Sequence, residues 1–170
     1  MAETFNSRTL PTPKAERYAE VAQEIAAVLD GEINPIARMA TVSAMLAQSF
    51  EHFFWTGFYL VDPEKRDELV VGPYQGTLGC LRIAIGQGVC GTAARERRTI
   101  VVPDVEVFPG HIACDSRSRS EIVVPVIGRG GRLLGVLDVD ATELAAFDQA
   151  DAEWLERILV QAFGDNASLT

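Results

Sequence analysis

The chain has 170 residues, 48% hydrophobic and 23% charged, which is the composition of one ordinary globular domain. Its net charge of -9 argues against nucleic acid as a partner, because phosphate binding needs a basic face. No run of 18 apolar residues is present and residues 1–7 lack the basic and apolar regions of a secretory signal, so neither a membrane span nor export is expected and the compartment reads as cytoplasmic.

Residues 1–13 are polar, carry Pro11 and Pro13, and read as a loose arm; residues 165–170 read as a tail, leaving 14–164 as the domain. Tyr18, Val21, Ala22, Ile25, Val28 and Leu29 recur at helical spacing, and Gly31 supplies a stop. Asn34 and Pro35 open a second helix, with Ile36, Met39, Ala40, Ser43, Ala44, Leu46 and Ala47 as its expected inner face. An aromatic-rich strand is expected over 52–61, then turn chemistry at Asp62-Pro63-Glu64-Lys65 and a second strand over 69–71. Residues 80–85 alternate as a short strand. Gly86, Gly88 and Gly91 punctuate the entry to a short helix at about residues 92–97, and 99–102 is another strand.

Residues 103–120 show no period, and a loop of that length in a compact domain is usually functional or mobile. Strands over 122–127 and 133–140 form a hairpin across Gly128-Arg129-Gly130-Gly131. Asp148 caps a last helix whose apolar side carries Trp154, Leu155, Ile158, Leu159 and Ala162. The order defines an α+β domain: a central, mainly antiparallel sheet with the outer helices on one face, the other face being left to the long loop and a ligand.

The only cysteines are Cys80, Cys90 and Cys114, an odd number with no C-x-x-C pair. In a reducing compartment such thiols are inert, metal-bound or redox-active. His111 with all three would make a closed zinc set, at spacings that are not typical of one. Cys80, at the edge of an apolar strand, and Cys90, near a helix start, suit the role of small apolar fillers. Cys114 does not, because it lies in the loop Phe108-Pro109-Gly110-His111-Ile112-Ala113-Cys114-Asp115. There His111, Arg117 and Arg119 would favour its thiolate. A thiolate attacks an electrophile and a second thiol resolves the product as a disulfide.

Asp138 and Asp140 are two apart on a strand and share a face with Val136; Glu121 opens the preceding strand and can join them. Either they are an exposed strand end, or they are a buried carboxylate group that binds a cation or shares a proton at neutral pH. Trp55 and Tyr59 also share a face. They read as core, or as an aromatic wall suited to a methyl-thio or ammonium group. His52 reads as an ordinary polar residue, and the glycines 86, 88 and 91 lack the Lys-Ser/Thr that a phosphate loop needs.

Five motifs stand in order: Trp55-Thr56-Gly57-Phe58-Tyr59, Gly86-Gln87-Gly88-Val89-Cys90-Gly91-Thr92-Ala93, Pro109-Gly110-His111-Ile112-Ala113-Cys114-Asp115, Ser120-Glu121-Ile122-Val123-Val124-Pro125 and Gly135-Val136-Leu137-Asp138-Val139-Asp140. The set resembles the free methionine-(R)-sulfoxide reductases, enzymes built on a GAF domain. The resemblance implies a single GAF-like domain with Cys114 as the attacking cysteine, Cys80 as the resolving one and Cys90 as an additional redox candidate. It implies that Trp55 and Tyr59 wall the substrate methyl, and that Glu121, Asp138 and Asp140 are the pocket carboxylates, with Glu121 and Asp140 as acid candidates. The implied reaction reduces free L-methionine (R)-S-oxide through a sulfenic acid and an intramolecular disulfide. Thioredoxin or dithiothreitol is the implied reductant, with no metal or organic cofactor. Ser116-Arg117-Ser118-Arg119 departs from the family in being more basic. The alternatives are a GAF-type small-molecule sensor and a thiol redox switch without turnover.

Overall fold

A computed structural model describes residues 13–164. The expected arm, apart from Pro13, and the expected tail lie outside the described residues. Two helices come first, α1 (Lys14–Val28) and α2 (Pro35–Ser49), followed by the strands β1 (Trp55–Val61), β2 (Glu68–Gln75) and β3 (Arg82–Ala84). A short helix α3 (Gly88–Glu96) leads to β4 (Ile100–Val102), the hairpin strands β5 (Ser120–Ile127) and β6 (Leu133–Ala141), and a last helix α4 (Gln149–Phe163). No helix among the described residues is long and apolar enough to cross a membrane.

The helix starts are chemically defined. Asn34 Oδ1 accepts from the amides of Ile36 and Ala37 at 2.9 and 3.1 Å, with Pro35 in the first turn. Asp148 and Asp151 form a reciprocal capping box on α4. Asp151 is fully buried and also accepts from the Tyr18 hydroxyl and Lys14 Nζ, each at 2.7 Å, which ties α1 to α4. The inner face of α2 is turned from the expected one: Val42 and Met45 are buried while Ile36 and Ala40 are exposed. Val42 and Met45 add to the core by removing apolar area from water, at roughly 25 cal/mol per Å².

The strands form one antiparallel sheet in the order β3-β2-β1-β6-β5-β4. Side-chain alternation splits it into two faces. Phe58, Leu137, Val139, Ile122 and Val124 pack with α1, α2 and α4 in the larger core. Trp55, Tyr59, Val123 and Val136 pack on the opposite face with Val89, Cys90 and Ala93 of α3. The helices therefore cover one face, as expected, and α3 with the long loop covers the other.

Several boundaries differ from the sequence reading. β1 begins at Trp55, because the Phe53 amide closes a turn onto the Phe50 carbonyl. β2 runs on past Val71 to Gln75, through Pro73. Its register with β1 is irregular between Gly57 and Tyr59, where the missing proline N–H interrupts the ladder. The strand expected over 80–85 shrinks to Arg82–Ala84, since Cys80 is held by a covalent bond. Helix α3 starts at Gly88 rather than near Thr92; a side chain at Gly91 would strike the Ala84 carbonyl, so the helix packs directly on β3. Residues 103–119 hold one 3-10 turn at Val105–Val107 and otherwise no regular element.

Candidate functional site

The ladder sets the floor of a pocket. Trp55 on β1 lies opposite Asp140 on β6, which lies opposite Glu121 on β5. One step along, Gly57, Asp138 and Val123 make the next row. Alternation aims Trp55, Tyr59, Glu121, Asp138 and Asp140 at the same side, and all five line one cavity with Cys90, Cys114, His111 and Ser118. The expected carboxylates and aromatic wall are thus brought together. Asp138 is not an exposed strand end: it is 7% exposed, and Glu121 5%.

The aromatic wall is rigid. The Trp55 ring stacks on Tyr59 at 5.7 Å and on Tyr74 at 5.1 Å, and its Nε1 donates to the Thr77 carbonyl at 2.9 Å. The Tyr59 hydroxyl accepts from the Cys80 amide. A side chain at Gly79 would sit 2.9 Å from both the Trp55 ring and the Tyr59 hydroxyl, so only glycine lets this segment lie against the wall.

Cys80 and Cys114 are joined as a disulfide across 34 residues of chain. Cys114 is exposed and Cys80 half-buried. This bond removes both from the His111-and-three-cysteine zinc set weighed above. Cys90 is a free, buried thiol on α3, with Sγ 4.0 Å from Glu121 Oε1. Its burial pushes the thiol pKa well up, and neighbouring Asp138, Glu121 and Asp140 add to that. It therefore stays protonated and is a poor nucleophile at neutral pH.

The three carboxyls share that environment. Burial pushes Glu121 well above the ordinary carboxylate range, and the charge of Asp140 reinforces it. Burial likewise raises Asp138, reinforced by Glu121, and Asp140, reinforced by Asp138. The Ser118 side chain hydrogen-bonds Asp140 and opposes its rise. Asp138 Oδ1 is buried with no hydrogen-bond partner, an acceptor left for a ligand's N–H or cation. Donor atoms of Cys90, Glu121 and Asp138 lie within 4.8 Å of one another, close enough to hold a metal ion.

The loop differs from expectation. His111 faces the carboxyls rather than serving as a cation for Cys114: its Nε2 is 3.4 Å from Glu121 Oε2, and burial lowers its pKa, so it is neutral at neutral pH. Arg117 is engaged by Asp115 through Nε at 3.0 Å and Nη2 at 2.8 Å, and its guanidinium lies over the Phe54 ring. Asp115 also accepts from Thr77 Oγ1 at 2.7 Å; Arg117 foremost, and then Thr77, hold its pKa well below the usual range. The backbone of Arg119 pairs with Ala141 and Val105. The sequence reading did not foresee the Thr77–Asp115 bridge or the Ser118–Asp140 contact, since neither pair shares a periodic element. His52 packs among Phe50, Phe53 and Phe147, away from the pocket.

Residues 39–162 match the model of the GAF domain. The chain belongs to the GAF-domain family. Within it, the chain groups with the free methionine-R-sulfoxide reductases: it is 40% identical over 148 residues to the protein of that name from Escherichia coli, covering 87% of each chain. GAF domain-containing protein A of Dictyostelium discoideum is 51% identical over 146 residues, covering 86% of this chain and 90% of the other. The solved structure of free methionine-R-sulfoxide reductase from Neisseria meningitidis in complex with its substrate is 45% identical. It matches with a TM-score of 0.87 over 94% of this chain and 93% of that one.

Proposed function

We propose that this chain reduces free L-methionine (R)-S-oxide to methionine. One observation carries the reading: the Cys80–Cys114 bond lies at a cavity whose floor is three raised carboxyls and whose wall is a stacked Trp–Tyr pair. A thiol switch needs no such pocket, and a cyclic-nucleotide sensor would set three acids against a phosphate. The named relatives support the same activity.

In the proposed cycle the substrate methyl lies on Trp55 and Tyr59, and its ammonium meets the free Oδ1 of Asp138. Glu121, the more buried of the two acid candidates, is protonated and donates to the sulfoxide oxygen; Asp140 fills the electrostatic role beside it. The Cys114 thiolate attacks sulfur, the S–O bond breaks, and the oxygen passes to Cys114 as sulfenic acid while methionine leaves. The Cys80 thiol condenses with that sulfenic acid, releasing water and forming the disulfide. Two thiols of a thioredoxin-type reductant, or dithiothreitol, restore both cysteines and are themselves oxidised. The proposed cycle needs no metal or organic cofactor. A cycle reset by thiols fits the cytoplasmic compartment expected from the sequence.

The test is methionine release with dithiothreitol, run beside N-acetylmethionine sulfoxide. The free amino acid turns over and the acetylated form, which lacks the ammonium, loses at least tenfold in kcat/KM. Equal rates for both would remove the carboxylates from substrate recognition.

A further inference from the structure

The Cys80–Cys114 bond does not lie in a polar setting. Leu78 precedes it by two residues and is 83% exposed, and Leu81 follows Cys80 directly and is 75% exposed. On the Cys114 side of the bond, Ile112 is 38% exposed, and it lines the same cavity as Leu78 and Cys114. Leu78 and Leu81 flank Cys80 in sequence and Ile112 lies two residues before its partner Cys114, so the disulfide gathers three exposed aliphatic side chains, and exposed apolar groups brought together mark contact sites. The outward position of Leu81 is enforced, because its carbonyl accepts from the Val71 amide in the edge ladder at 3.0 Å.

Two cations beside the disulfide are already paired. Arg82 is bound to Asp62 at 2.5 Å and Glu68 at 2.9 Å, and Arg117 is bound to Asp115 at 2.8 Å. The face therefore offers apolar contact rather than a free charge. At its centre is a disulfide with one exposed sulfur residue, Cys114. An occupant must bring a thiolate to that sulfur and an apolar surface around it.

We propose that the collar of Leu78, Leu81 and Ile112 is the docking face for a protein dithiol of the thioredoxin type, and that this partner attacks Cys114. The proposal rests on the redox cycle above and adds where the reductant binds. One thiolate of the partner bonds to the sulfur of Cys114. The Cys114–Cys80 bond breaks, and Cys80 leaves as thiolate and takes a proton. The partner's second thiol then attacks the mixed disulfide, freeing Cys114 and closing the partner's own disulfide. Two electrons and two protons pass to this chain. Cys80 is less open to attack, being half-buried with its amide on Tyr59.

The experiment follows reduction of the oxidised full chain by thioredoxin, without methionine sulfoxide, so that its result is independent of the assigned substrate. Leu81 is outside the pocket lining, so Leu81→Glu and Leu81→Lys are the informative variants. Both should raise the thioredoxin KM at least tenfold while the dithiothreitol rate stays within twofold. The wild-type KM should be insensitive to salt. Thioredoxin with its second active-site cysteine changed to serine should be captured on Cys114, as located by peptide mass spectrometry. An unchanged KM in both variants, capture on Cys80, or reduction by dithiothreitol and glutathione but not by thioredoxin would each overturn the proposal.

Discussion

Glu121 on β5 and Asp140 on β6 are direct cross-strand partners in an antiparallel ladder, and both line the cavity on the face away from the three long helices. Like charges placed opposite one another in a sheet destabilise it. Here burial pushes both carboxyls well up, reinforced at Glu121 by the charge of Asp140 and at Asp140 by that of Asp138, which favours their protonated forms. The fold thereby holds an acid ready at neutral pH.

That arrangement has a stability cost with a definite sign. The folded-state pKa of Glu121 lies above its unfolded value of about 4.3. Its favourable contribution is full below that unfolded value and is lost as pH rises through the folded one. His52 and His111 are lowered by burial and act oppositely, gaining stability as pH rises through about 6.5. Comparing Glu121→Gln with wild type isolates the carboxyl. Thermal unfolding at pH 5 and pH 8 should show the variant gaining Tm at pH 8 relative to pH 5, with kcat reduced about 10²-fold or more. An identical pH response in both proteins would mean Glu121 is ionised when folded. Asp140→Asn should also weaken catalysis, and a larger loss there than in Glu121→Gln would make Asp140 the acid.

The cysteines should separate cleanly by substitution. Cys114→Ser abolishes turnover with the fold intact. Cys80→Ser completes one turnover and stalls as sulfenic acid, detectable by trapping and mass spectrometry. Cys90→Ser keeps multiple turnover, because a buried thiol of raised pKa attacks poorly. Normal thioredoxin-driven turnover by Cys80→Ser would transfer the resolving role to Cys90.

The Thr77–Asp115 bond spans the two segments that carry Cys80 and Cys114, beside the disulfide. It should hold the two thiols near bonding distance in the reduced chain. Thr77→Val is expected to slow disulfide closure about tenfold, a loss in the range that misplacing reacting groups produces. Methionine release in the first turnover should be unchanged. The check is a quenched-flow comparison of thiol loss with methionine release; equal closure rates would leave Thr77 without a positioning role.

Trp55 combines packing with recognition. Trp55→Ala removes a buried ring and should cost about 3–5 kcal/mol of stability. Trp55→Phe keeps most of the packing but loses the Nε1 bond to Thr77 and the larger ring face. It should raise KM several-fold, on the scale of about 0.3–1.5 kcal/mol for a sulfur group held against an aromatic ring. An unchanged KM would place the substrate away from this wall.

Much of the fold is legible because local chemistry and global packing agree. Asn34-Pro35 and Asp148 announce helix starts that the structure keeps, and Val136 to Asp140 alternate as the ladder requires. The differences arise where a non-local constraint outweighs the local pattern. Gly88 and Gly91 look like punctuation but lie inside α3, because that helix must approach the Ala84 carbonyl closely. Pro73 lies beyond the strand expected over 69–71, yet β2 continues through it, accommodated by the irregularity opposite Phe58. In the site, Glu121, Asp138, Asp140, Trp55 and Tyr59 are legible by strand period. The pairing of Cys80 with Cys114 followed only from the family resemblance. The roles of Thr77, His111 and Ser118 were hidden because loop residues carry no period.

Methionine release from the separated R and S sulfoxides of free methionine, with dithiothreitol as reductant, tests the proposed activity and the handedness of the pocket together. Turnover of the R form alone is expected, and it is lost in Cys114→Ser. Turnover of neither form, or of both at equal rates, would contradict that expectation.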